Sequence, residues 1–138
     1  MRFKRAKRDL PDLATPQEIE RLVTIFYARV RQDDLLAPVF VEQADIDWVL
    51  HEPKLAAFWC QLELGIAGFQ GSPSQKHSAL SSVQPFRAEQ FARWVELFHQ
   101  TIDRGWTGPH ASSIKARATQ IAKVQSQVVQ GAEPWDSQ

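Results

Sequence analysis

Apolar residues recur at helical spacing in four stretches of the chain, each bounded by turn or capping signals. In the first, Ile19, Leu22, Val23, Phe26, Tyr27 and Val30 form one apolar stripe. Thr15-Pro16-Gln17-Glu18 precedes it, with Thr15 as N-cap, proline at the first helical position and Glu18 placed to close a capping box. Asp33-Asp34 ends the helix, and Leu35 to Phe40, broken by Pro38, predicts a single turn and a corner. Asp45 can cap the second helix, which carries Ile46, Trp48, Val49, Leu55, Phe58, Trp59, Leu62 and Leu64. Pro53 is expected to kink it or to end an irregular first turn, and His51, Leu55, Phe58 and Leu62 share one face. Gly65, Gly68 and Gly71 open a loop containing Phe69. Ser72, Pro73 and Gln75 then start a short helix that places His77 and Leu80 on one side. The third long helix presents Phe91, Trp94, Val95, Phe98 and Ile102. After the turn Gly105 to Pro109, the fourth runs from near His110 through Ile114, Ala118, Ile121 and Val124 to Val128. Without repeats or strand-like alternation, the expected architecture is all-α, with four substantial helices and one short one between the second and third.

At 138 residues the chain is the size of one domain. The expected division is a basic N-terminal tail over 1–14, one domain over 15–130 and a disordered tail over 131–138. Sixteen Lys and Arg balance sixteen Asp and Glu, which argues against a nucleic-acid partner. No apolar run is long enough for a membrane span, and none follows the basic residues Arg2 to Arg8 as a signal peptide requires. The single cysteine, Cys60, excludes an internal disulfide and suits a reducing compartment, so a cytoplasmic location is expected. Beside Trp59, its thiol is expected to be inert. His99 and His110 lie near expected helix ends and read as solvated. No zinc-ligand spacing or phosphate-binding glycine loop appears, and Glu42 and Asp45 are explained by capping.

Five tryptophans and eight phenylalanines supply flat apolar surface that fills a core or lines a pocket for a planar ligand. His77 on a rigid element has what an axial ligand to iron needs. His51 lies on a separate helix, and Tyr27 and Trp94 bring hydrogen-bond donors. Phe26, Phe40, Leu55, Phe58, Phe91 and Phe98 supply apolar walls.

The sequence resembles the truncated haemoglobins, most closely their group III branch. The resemblance is carried by Phe26-Tyr27-Ala28-Arg29-Val30-Arg31, Leu36-Ala37-Pro38-Val39-Phe40, Asp47-Trp48-Val49-Leu50-His51 and Leu55-Ala56-Ala57-Phe58-Trp59. Gly71-Ser72-Pro73 before His77, Phe91 to Phe98, and Arg117-Ala118 to Ile121-Ala122 continue it in order, so it spans about Ile19 to Ala122. It implies a globin-like two-over-two helical sandwich around haem b, with His77 as proximal iron ligand. Tyr27 and Trp94 would donate hydrogen bonds to a distal ligand, and His51 would gate the site, donate a hydrogen bond or ligate the iron. Lys54, with Arg93 as second candidate, would pair with a haem propionate, and Phe40 would wedge against the ring. Pro53 departs from a regular helix two residues after His51, and the Gly-Gly corner motifs of the other two branches are missing.

The resemblance thus implies a monomer that binds dioxygen, carbon monoxide and nitric oxide. Nitric oxide dioxygenase or peroxidase-like turnover with a separate reductase is an extension of that reading. The competing class is a haem-free globin-fold sensory or interaction module. Substituting His77→Ala separates the two, since only the first predicts lost or labile haem.

Overall fold

The computed structural model describes residues 9–38, 48–67 and 87–129, and four α-helices with no strand occur among them. They are α1 (Pro16–Val30), α2 (Trp48–Leu64), α3 (Ala88–Gly105) and α4 (Pro109–Val129). The stretches 1–8, 39–47, 68–86 and 130–138 lie outside the described residues. Phe40, the Asp45 cap, the Phe69 loop, the short helix with His77 and the C-terminal tail therefore fall there. Among the described residues no helix is long and apolar enough to cross a membrane.

The sequence pattern explains how these helices start and stop. Thr15 Oγ1 accepts from the Glu18 backbone N–H at 3.3 Å, as a Thr-Pro start requires. The carboxylate of Glu18 does not complete the capping box. It accepts instead from Arg21 Nη1 at 2.7 Å and from the Trp106 indole at 2.8 Å, where the cation and a buried donor offer stronger bonds than the cap amide. Asp33 stops α1 by accepting from the Leu35 and Leu36 amides. Pro53 stands inside α2, so the helix continues through it. That helix ends at Gly65, whose φ of 71° turns the chain so that the Ile66 N–H reaches the Cys60 carbonyl at 3.3 Å.

Helix α1 packs against both α2 and α3, α3 packs against α4, and α2 touches α4. This is the two-over-two arrangement. The core is built from the expected stripes: Leu22, Phe26 and Val30 of α1, Phe98 and Ile102 of α3, and Ile114 and Ala118 of α4 are at most 1 % exposed. The packed region begins before Thr15, however. Leu13 is fully buried, Pro11 accepts from the Thr107 amide at 2.9 Å, and Asp12 caps α4 from a distance in sequence. Its two carboxylate oxygens take the His110 and Ala111 amides at 3.0 and 2.7 Å. The basic tail expected over 1–14 therefore contains core and capping residues at its end.

Helix α2 also sits differently from its sequence stripe. Ala56, Trp59 and Cys60 are its buried apolar residues, while His51, Leu55 and Phe58 are half-buried and Leu62 is 36 % exposed. Both sides of this helix are apolar, so period alone could not choose between them. Helix pairing is completed by polar ties that sequence did not suggest. Glu63 of α2, nearly buried, accepts from His110 Nδ1, Ser113 Oγ and Arg117 Nε of α4 at 2.7, 2.7 and 2.9 Å. His99 Nε2 lies 3.0 Å from both the Lys115 carbonyl and the Thr119 hydroxyl. His99 and His110 thus bridge helices rather than sit as solvated side chains.

Candidate functional site

Tyr27 and Trp94 come from different helices and meet in the core. Tyr27 is the fifth residue of the stripe on α1, Trp94 lies within the stripe on α3, and they are 4 % and 7 % exposed. The Trp94 side chain lies within hydrogen-bonding reach of the Tyr27 phenol. An indole has only a donor, so the bond this pair can form runs from Trp94 Nε1–H to the phenol oxygen, which leaves the phenol proton for another acceptor. Burial drives the Tyr27 pKa well above the ordinary tyrosine range. The Trp94 bond opposes that shift in part, and the nearby Glu52 carboxylate adds to it. Tyr27 is therefore held as a neutral phenol, a hydrogen-bond donor at every physiological pH.

A wall of rings fixes this pair. Phe26 stands edge-on to Tyr27, Trp94 and Phe98 at centroid distances of 4.7, 5.6 and 4.8 Å. Trp94 stacks on Phe98 at 5.3 Å and 6°, and Trp59 of α2 stacks on the same Phe98 at 5.4 Å and 23°. Phe58 meets Trp59 edge-on at 5.1 Å. Offset and edge-to-face contacts of this kind each add about 0.5–1.5 kcal/mol beyond area burial. The wall is accordingly rigid.

Of the other residues expected at the site, Phe91 is buried on α3, and His51, Leu55 and Phe58 share the half-buried side of α2. Lys54 is exposed beside them. Arg93 is committed elsewhere: Nε and Nη2 hold Asp33 Oδ1 at 2.8 and 2.7 Å, and Nη1 holds Glu96 at 2.7 Å. Thr101, also buried, links the helices by accepting from Arg29 at 2.7 Å and donating to the Leu97 carbonyl at 2.7 Å.

Three functional-looking polar residues were missed by sequence reasoning. Glu52 lies between His51 and Pro53 and accepts from Thr24 Oγ1 and Arg31 Nη1 of α1 at 3.3 and 3.1 Å. Glu63 had one legible signal, a carboxylate in the last turn of a helix, where the macrodipole disfavours it unless cations answer it. Gln125 is 1 % exposed, and its Nε2 has no hydrogen-bond partner among the described residues. Its signal was an amide in register with the apolar positions Ile114, Ala118, Ile121 and Ala122. The ties Lys115–Asp103 and Thr119–His99 set the antiparallel register of α3 and α4.

A cleft of about 450 Å³ also opens between α1 and α2, lined among others by Val23, Thr24, Val49, Pro53, Ala57 and Cys60. By helical period these α2 positions face away from His51, Leu55 and Phe58. Cys60 is buried there and its thiol pKa is raised by burial, with Glu20 adding to the effect, which makes it unreactive. No cluster of three or more metal-ligating side chains occurs among the described residues. A haem asks for one axial imidazole, apolar walls and distal donors rather than such a cluster, and the described walls and the Tyr27–Trp94 pair fit that demand.

No protein-family model matches the chain. It is similar to the group 3 truncated hemoglobin ctb of Campylobacter jejuni, with 33 % identity over 109 residues covering 77 % of this chain and 84 % of that protein. The crystal structure of a group III truncated hemoglobin from Campylobacter jejuni superposes with a TM-score of 0.73 at 27 % identity, covering 94 % of this chain and 95 % of the other. With that identity along most of a relative's length and a helical fold that superposes on a solved member, the chain belongs to the group III truncated haemoglobins.

Proposed function

We propose that the chain is a monomeric cytoplasmic haem-b protein, with its haem domain over about residues 15–130, that reversibly binds dioxygen, carbon monoxide and nitric oxide. The observation that carries this reading is the buried Tyr27–Trp94 pair, a phenol within reach of an indole donor, set in a wall of rings. A donor pair of that kind inside an apolar core costs stability, and a polar ligand of the site is what makes it useful. His77 would hold the iron on the proximal side. Phe26, Phe40, Leu55, Phe58, Phe91 and Phe98 would supply apolar walls, and Lys54, exposed at the rim, would meet a propionate. Arg93, held by Asp33 and Glu96, is the weaker propionate partner.

When bound, haem supplies an iron centre that takes diatomic ligands. The chain supplies orientation and proton placement. Trp94 fixes the phenol oxygen of Tyr27 as an acceptor, so the phenol proton is directed to another acceptor, and the distal ligand would take it. A hydrogen bond of this kind to a partly charged ligand is worth about 1.5–3 kcal/mol. His51, half-buried on α2, would regulate entry or add a second donor. Nitric oxide or peroxide turnover at the same site would draw electrons from a separate reductase. Haem titration of the purified chain and of His77→Ala tests the reading. A tight Soret-absorbing complex in the first and a lost or labile one in the second is expected; an equal band in both would overturn His77 as the ligand, and no band in either would overturn the reading in favour of a haem-free module.

A further inference from the structure

We infer that the Arg31–Glu52 ion pair is a strut that sets the first turn of α2, and through it His51, relative to the Tyr27–Trp94 pair. The inference rests on the distal role proposed for His51. Three observations carry it. First, Pro53 cannot donate an N–H to the Val49 carbonyl, and its ring crowds that carbonyl, so the turn Trp48–Glu52 is joined to the rest of α2 by a ladder with one bond missing. Second, Val49 and Leu50 add little packing to hold that turn, being 81 % and 64 % exposed. Third, Glu52 reaches across to α1 with both oxygens, to Arg31 at 3.1 Å and Thr24 at 3.3 Å, and its side chain is only 19 % exposed.

The placement of Glu52 couples the two halves of the site. It follows His51 directly in the chain, and its charge reaches Tyr27 on α1. Arg31 caps the end of α1 with its backbone N–H on the Tyr27 carbonyl at 3.0 Å, so both ends of the strut are one step from a distal residue. Exposed ion pairs contribute little, but this one is part-shielded and has a hydroxyl as second donor on the same carboxylate. Loss of the pair should therefore loosen the turn locally and leave the aromatic wall in place. Glu52 and Arg31 are positioning residues that act through His51.

The test compares the full-length chain with Glu52→Ala, Arg31→Ala, the double variant and Glu52→Gln by two measurements. Amide hydrogen exchange reads the strut without reference to haem. We expect exchange over 48–52 to rise about tenfold in each Ala variant while residues beyond Ala56 keep their protection. The carbon monoxide complex is then examined for its C–O stretching band and its ligand dissociation rate. Both should shift in the same direction in the two single variants, the double variant should add little to either, and Glu52→Gln should stay near the parent. Unchanged exchange over 48–52 overturns the strut. Raised exchange with an unaltered C–O band and dissociation rate overturns its link to His51, as do additive effects in the double variant. If the parent binds no haem, the functional reading fails on its own, and the exchange comparison still decides whether the strut exists.

Discussion

The Tyr27–Trp94 bond makes a quantitative prediction about stability. Both partners are buried, and the two rings are held by contacts that a phenylalanine largely preserves, since Trp94 stacks on Phe98 and stands edge-on to Phe26. Tyr27→Phe removes the acceptor and leaves the indole N–H buried without a partner, which costs about 1–3 kcal/mol. Trp94→Phe removes the donor and part of the ring, which costs about 1 kcal/mol for the bond and a similar amount for lost packing. The double variant leaves neither group stranded and so loses packing only. The two single effects should therefore exceed the double effect by about 1–2 kcal/mol, the signature of a direct interaction. Urea unfolding of the four proteins at one fixed haem occupancy measures this. Additivity within about 0.5 kcal/mol would refute the hydrogen bond. In the haem-loaded protein, removing the phenol donor should speed dioxygen loss about 10- to 150-fold, the same 1.5–3 kcal/mol expressed as a rate.

Tyr27 is the single tyrosine of the chain, so near-ultraviolet phenolate absorption reports on it alone. Its folded pKa is raised above the ordinary 10.0, so its contribution to stability is complete below pH 10 and declines as pH rises, when the unfolded chain ionises first. No phenolate should form until the protein unfolds in alkali, and a titration near pH 10 in the folded state would contradict this placement. Burial alone would raise the Glu63 pKa, but the bonds from Ser113, His110 and Arg117 outweigh it and hold the carboxyl below its ordinary range. Its contribution is thus present above about pH 4.5 and lost as pH falls through the lower folded value. Glu63→Gln should destabilise by about 1–2 kcal/mol at neutral pH, with the gap to the parent closing in acid. Gly108 has φ of 134°, and an added Cβ would lie 2.5 Å from Asp12 Cγ, the group that caps α4. Gly108→Ala should therefore cost about 2 kcal/mol or more in thermal or urea unfolding.

The helices with a single apolar stripe were legible in sequence because one face had to be buried. Phe26 and Tyr27 on α1, and Trp94 and Phe98 on α3, occupy the core as their period requires. On α2 the pattern was apolar on both sides, and which side faced the core was decided by Trp59 stacking on Phe98, a long-range contact that no local period records. Polar ties were hidden for a related reason. Asp12 and His110, or Glu63 and Arg117, lie far apart in sequence, and only the fold brings a carboxylate to a helix end or a guanidinium to a carboxylate. Family resemblance supplied the roles proposed for His77 and His51, and the described structure adds the meeting of Tyr27 with Trp94 and the anchoring of Glu52.

In the function we propose, this chain holds haem through His77 with an exchangeable distal position facing Tyr27. An absorption spectrum of the purified protein, reduced with dithionite and then exposed to carbon monoxide, tests it most directly. The expected result is a Soret band that shifts on reduction and again on adding the gas, and that is lost or labile in His77→Ala. A chain that shows no Soret band after haem titration, or one unchanged by His77→Ala, would contradict it.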